Sequence, residues 1–253
     1  MSKLQALTTA SPMRPELHHK VVLLVLLTFV AGFTDTAGFV LLFDLFTAHI
    51  TGNTVIAAAD IVHRGGIGAR TAVLTLPIFI IAVIICTLII EFAKGRWRKW
   101  IFPLMITAET LLLAAFLVTA LLLDPSKSTP DGLPVLIVGG TGVIAMAVQN
   151  TIAGQLPKPS TVMTGNLTTL IINAVRWVLA RRARNDGLRA RMNAQIRILW
   201  PTFLAFSVGA VLAAVGVVTL NYWSLLVPVP FSAIAAIYAF KMREKLIYGR
   251  TPE

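Results

Sequence analysis

The sequence predicts an all-α membrane protein: six transmembrane helices plus two short broken or re-entrant helices, built from two repeats of inverted topology. Three observations predict it. The 253 residues are 57% hydrophobic and only 13% charged, about half the charge of a soluble domain, and mean hydropathy is +0.81. The basic residues gather between apolar runs, as Lys94, Arg96, Arg98 and Lys99, then Arg181, Arg182, Arg184, Arg189, Arg191 and Arg197, then Lys241, Arg243, Lys245 and Arg250. The tripeptide Thr-Gly-Asn occurs at 51–53 and again at 164–166, each copy opening an apolar stretch.

Taken in order, residues 1–19 are polar, hold Pro12 and Pro15, and read as a disordered cytoplasmic tail. A single transmembrane domain follows over 20–240, with repeat one at about 20–123 and repeat two at about 133–240. Five stretches have the length and apolarity of spans: 20–43, 71–92, 100–123, 133–155 and 198–220. A sixth, 222–240, contains Pro228 and Pro230, which predict a kink. Trp97, Trp100, Trp200, Tyr222 and Trp223 fall at span ends, where amphipathic rings anchor at the headgroups. Residues 241–253 form a basic cytoplasmic tail.

The stretches 47–63 and 160–180 carry the Thr-Gly-Asn copies and are weaker. The first is strongly apolar only around Val55 to Ala59, too short for a bilayer core of about 30 Å. The second is interrupted by Thr164, Asn166, Thr168, Thr169 and Asn173. If both are re-entrant, only Arg64, Arg70 and Lys127 face outward; if both span, Lys94, Arg96, Arg98, Lys99 and Lys158 do. The positive-inside bias favours the first arrangement, with both termini cytoplasmic. Three spans per repeat then force the repeats to be inverted, the pattern that places a solute site near the midplane.

The net charge of +11 is spread over short loops, which suit anionic lipid headgroups and exclude a nucleic-acid reading element. The lone Cys86 forms no intramolecular disulfide. His49 and Asp44 are too few for a metal site, and no metal or cofactor is expected. Gly139-Gly140-Thr141-Gly142 lies within an apolar span with no strand before it, so close helix packing explains it better than phosphate binding, as it does Gly209 and Ala213.

Asp35 and Glu109 are carboxyl groups in mid-span, which hydrocarbon tolerates only if they are paired, protonated or functional. Both are candidates for proton or ion coupling. For Asp35 the alternative is a packing hydrogen bond to a Thr or backbone group; for Glu109 it is a pair with His49 or a buried Asn. Aligning the two tripeptides with a one-residue gap sets Asp35 opposite Gln149, beside Asn150. Thr51, Gly52, Asn53, Gln149, Asn150, Thr164, Gly165 and Asn166 are the candidate solute-binding residues. Their types also fit plain helix caps. As a site, two opposed helix N-termini favour an anionic group or a solute dipole.

The segment Ala31-Gly32-Phe33-Thr34-Asp35-Thr36-Ala37-Gly38-Phe39, leading into Phe46 through Asn53, resembles the YoaK family of bacterial multi-pass membrane proteins. Residues 147–151 and 162–166 look like that family's second repeat. The resemblance implies an inner-membrane protein and supplies no substrate. The functional expectation is a secondary transporter or facilitator of a small solute, with membrane lipids as its surroundings. The alternative is a non-transporting scaffold or an intramembrane enzyme; Ser, Cys and His are too sparse within the spans to form an evident catalytic set, so no enzyme activity is expected.

Overall fold

A computed structural model describes residues 15–63, 68–93, 97–153, 156, 160–161 and 163–247. Among these residues it contains eight α-helices and no strand: α1 (Pro15–Leu41), α2 (Ile50–His63), α3 (Ala69–Phe92), α4 (Arg98–Leu123), α5 (Leu133–Ala153), α6 (Met163–Arg182), α7 (Asp186–Leu220) and α8 (Pro228–Ile247). A helix satisfies its own backbone, which is what apolar sequence in hydrocarbon requires. Five helices are long and apolar enough to cross a membrane, within α1, α3, α4, α5 and α7. The expected tail residues 1–14, the basic residues Lys94, Arg96 and Lys158, and residues 248–253 lie outside the described residues.

Several boundaries differ from the sequence reading, each for a local reason. Residues 15–19 are the first turn of α1, entered at Pro15, because proline at a helix start gives up no hydrogen bond. The expected sixth span, 222–240, is not among the five: residues Asn221–Leu226 form a 3-10 turn and α8 begins at Pro228. Pro228 and Pro230 thus open a helix rather than kink one. That helix runs on through Lys241, Arg243 and Lys245, where the sequence predicts a tail. The basic stretch 181–197 is helical on both sides of a short turn, where Asn185 caps α7 by accepting a hydrogen bond from the Leu188 amide at 3.0 Å. With 35 residues, α7 is about 52 Å long and outreaches a hydrocarbon core of about 30 Å.

Each long helix has a defined partner. α1 packs most extensively on α7, and α5 on α3 and α4; α8 packs on α4 and α1, α2 on α3, and α6 on α7. This scheme of extensive contacts maps onto itself when α1–α4 are exchanged for α5–α8. α1 and α5 are the two most buried spans. α3 and α7 turn apolar faces outward, among them Ile80, Ile81, Ile84 and Ile85 on one and Val211, Leu212, Val215 and Val218 on the other, as a lipid-facing surface should. At the α1–α7 crossing a Cβ on Gly32 would lie 2.3 Å from the Phe206 carbonyl oxygen, and one on Gly209 would lie 2.5 Å from that of Phe29. Only glycine allows the two backbones so close.

The bundle has two distinct faces. At one, the Thr71 amide and hydroxyl at the start of α3 donate to the Asp131 carboxylate and the Pro130 carbonyl, and Tyr222 after α7 accepts from the Ser126 amide. There Lys127 lies 2.8 Å from Asp124 and holds that exposed carboxyl below its ordinary range. The other face is basic. It gathers the start of α1 against the end of α8, through His19 and Tyr238, the start of α4 against α8, with Arg243 over the Trp100 ring, and the turn between α6 and α7.

Candidate functional site

The polar residues of the interior are organised around two chain reversals, one after α1 and one after α5. At the first, Asp35 sits six residues before the end of α1, about 9 Å in from that end. Its Oδ1 accepts hydrogen bonds from the amides of Thr47 at 2.9 Å and Ala48 at 2.7 Å, with the His49 amide at 3.4 Å. Its Oδ2 lies 2.5 Å from His49 Nδ1. The chain therefore turns back along α1 before α2 begins. Asp35 supplies acceptors to amides that precede a helix and lack intrahelical partners, which is capping carried out from a neighbouring helix. Asp35 thus makes hydrogen bonds to a Thr and to backbone.

Asn53 closes the same reversal. Its side chain accepts from the Phe46 amide at 2.9 Å, donates to the Phe46 carbonyl at 2.8 Å, and donates to Thr75 Oγ1 on α3 at 3.0 Å. It is fully buried. Phe46 in turn lies against Gly52, where a Cβ would come within 2.7 Å of its ring. His49 is the half-open member, with 38% of its side chain exposed and its ring edge-on to Phe46 and to Phe206 of α7.

The second reversal repeats the plan with neutral groups. Gln149, four residues before the end of α5, donates through Nε2 to Ser160 Oγ and to the Leu27 carbonyl of α1, both at 2.8 Å. Asn150 accepts a hydrogen bond from the Thr161 hydroxyl. Thr47 and Ser160 each stand four residues before the Thr of their tripeptide, and each is held by a polar residue of the preceding long helix. Asp35, paired with Gln149 in the sequence alignment, lies six residues before the end of α1, and Gln149 four before the end of α5; each bonds the hydroxyl-bearing residue that stands four before its tripeptide. The tripeptides match too: they occupy the second to fourth residues of α2 and of α6. In both, the Asn is buried while the Thr is exposed.

Some expected neighbours are not brought together. α2 packs on α3 and α6 on α7, and α2 and α6 are not a packed pair. Thr51, Thr164 and Gly165 are exposed. His49 pairs with Asp35, not with Glu109. Glu109, in the middle of α4, is fully buried, and both of its carboxyl oxygens lack a hydrogen-bond partner among the described residues. The amide oxygen of Gln149 and the hydroxyl of Thr34 are buried and unpartnered in the same way. Gly139 and Gly142 of α5 make room for the first reversal, where added Cβ atoms would meet Leu45 at 2.4 Å and Thr47 at 3.0 Å.

The sequence reading passed over Thr47, Ser160, Thr161 and Thr75. A signal was present for the first two: a hydroxyl residue precedes both tripeptides at the same offset. Thr75 carries no such mark, because only the packing of α2 on α3 brings it to Asn53.

A family described as a protein of unknown function (DUF1275) matches residues 23–238. The UPF0700 transmembrane protein YoaK of Bacillus subtilis (strain 168) is 27% identical over 233 residues, covering 90% of this chain and 95% of the relative. No solved structure matches the chain.

Proposed function

The chain belongs to the DUF1275 family of multi-pass transmembrane proteins, and within it we propose a secondary transporter or facilitator of a small solute, built from two inverted four-helix repeats. The observation that carries this reading is the paired reversal. After α1 the chain brings Thr47 onto Asp35, after α5 it brings Ser160 onto Gln149, and each is followed by a helix whose second to fourth residues are Thr-Gly-Asn. In this reading α2 and α6 are re-entrant, entering from opposite faces, and α8 completes six spans. Broken helices of this kind place unsatisfied backbone groups at mid-depth, which hydrocarbon tolerates only where they line a cavity or are bonded to protein. The solute site then lies between the reversals, beside α1 and α5. Thr51, Gly52 and Asn53 belong to its outer gate, and Thr164, Gly165 and Asn166, with Gln149 and Asn150, to its inner gate. Asp35 holds the outer gate in register. The membrane is the bacterial inner membrane, with both termini in the cytoplasm.

Substituted-cysteine accessibility tests this in a Cys86→Ala background, since the native thiol is buried. Thr47→Cys should react with a water-soluble thiol reagent from outside the cell, and Ser160→Cys from the cytoplasmic side. If neither position reacts from either side, the bundle is solid and the scaffold reading replaces transport.

A further inference from the structure

Two of the unpartnered groups lie at one depth on touching helices. On α4, Glu109 falls between Ile106 and Leu113; on α5, Gln149 falls between Ala145 and Ile152, along the same helical stripe in each case. Ile106 shares one apolar cluster with Val148 and Ile152, and Leu113 shares the next with Ala145 and Met146. Glu109 and Gln149 are therefore the polar layer between two apolar ones, where α4 meets α5. The Gln149 amide is fixed in orientation: the Leu27 carbonyl only accepts, so the nitrogen must face it, and Oε1 is left as the open acceptor. The Gln149 side chain offers an oxygen acceptor and no spare donor, both amide hydrogens being given to Leu27 and Ser160. What the layer lacks is a proton: a neutral Glu109 has one O–H to give, and Gln149 Oε1 is an acceptor at its depth.

We propose that Glu109 is the exchangeable proton-binding site of this protein, that Gln149 accepts its hydroxyl hydrogen when the proton is bound, and that Gln149 passes the change to the second reversal through Ser160. Binding is a simple protonation: one proton joins a carboxylate oxygen, and loss returns it to water. An ionised Glu109 with no donor is costly in hydrocarbon, so release must draw Gln149 or water towards it and disturb the bonds to Ser160 and Leu27. The surroundings hold few competing groups. α5 carries no titratable side chain. On α8 the titratable residues with described side chains are Tyr238, bonded to His19, and Lys241 and Arg243, all towards the basic face. On α1, Asp35 is occupied by His49 and the reversal amides. Cys86 of α3 lies in the inner cluster with Ile106. This inference rests on the transport reading and deepens it by naming the coupling ion; of the two candidate coupling carboxyls, Asp35 and Glu109, it assigns the role to Glu109.

The test is infrared titration of the purified protein in lipid. The expected result is a carboxylic-acid carbonyl band that diminishes as pH is raised, that is absent in Glu109→Gln, and that shifts in frequency in Gln149→Leu. A second readout follows the relay: in the Cys86→Ala background, the labelling rate of Thr164→Cys should depend on pH more steeply with Glu109 present than in Glu109→Gln, the comparison cancelling ionisation of the thiol itself. A band unchanged across the accessible pH range, or unmoved by Gln149→Leu, overturns the site; equal pH dependence of labelling overturns the relay. If the band titrates while Thr47→Cys and Ser160→Cys stay unreactive, the transport reading falls and the proton site stands.

Discussion

Asp35 shows how one carboxylate can serve two partners with its two oxygens. Oδ1 serves the Thr47 and Ala48 amides, while Oδ2 serves the His49 ring. Substitution separates the two duties. Asp35→Asn keeps an oxygen for the amides and offers an N–H to an unprotonated His49 Nδ1, so the reversal should persist with a modest loss. Asp35→Ala strands at least two buried amides, at about 1–3 kcal/mol each. Thermal unfolding in detergent should rank the variants wild type, Asn, Ala; an Ala variant as stable as the Asn variant would deny Asp35 the capping role. Asn53 makes the parallel case. Asn53→Asp loses both donors, to the Phe46 carbonyl and to Thr75, and Asn53→Ala loses the acceptor as well. Both should unfold below wild type, with no gain from lowering pH in the Ala variant.

At the scale of elements, α1 and α7 are held by contact between backbones rather than by interlocked large side chains. A methyl group added at Gly32 or Gly209 meets carbonyl oxygens at 2.3 and 2.5 Å, and backbone cannot rotate out of the way. Gly32→Ala and Gly209→Ala should each cost about 1–3 kcal/mol as the helices are pushed apart. Gly187→Ala is the control, because its added methyl would meet only the Asn185 side-chain oxygen at 3.8 Å; it should unfold close to wild type. Equal effects at all three positions would remove the argument for a close crossing. α2 illustrates the opposite regime. With 14 residues it is too short for isolated stability in water and is held by α3 and by the reversal before it.

For the whole molecule, the contact scheme that survives exchange of α1–α4 for α5–α8 makes a prediction about sidedness. The Asp124–Ser126 turn and the turn around Arg184 lie on opposite faces of the bundle. In the Cys86→Ala background, Ser126→Cys should label from outside intact cells with an impermeant reagent, and Arg184→Cys only after permeabilisation. The reverse result would invert the orientation, and labelling of both from one side would contradict the bundle itself. Basic residues crowd the Arg184 face, including Arg181, Arg182, Arg189 and Arg191, which is the physical basis for placing it in the cytoplasm.

The sequence by itself determined the solvent and the helices. Twenty-residue apolar runs admit no other structure in hydrocarbon, and the repeated Thr-Gly-Asn falls on the second to fourth residues of both α2 and α6. Local sequence was a poorer guide where a helix is exposed: the basic stretch 181–197 reads as loop by composition, yet it is helical on both sides of a short turn, with Asn185 capping α7. Tertiary structure alone decided how the polar groups are partnered. Asp35 and Glu109 look alike in the sequence, since each is one carboxyl in an apolar run. Asp35 is bonded because the chain after α1 folds back far enough to present three amides and a histidine. Glu109 is fully buried in α4, and neither of its oxygens has a hydrogen-bond partner among the described residues. The sequence fixes which groups are costly to bury; the fold decides which of them are satisfied.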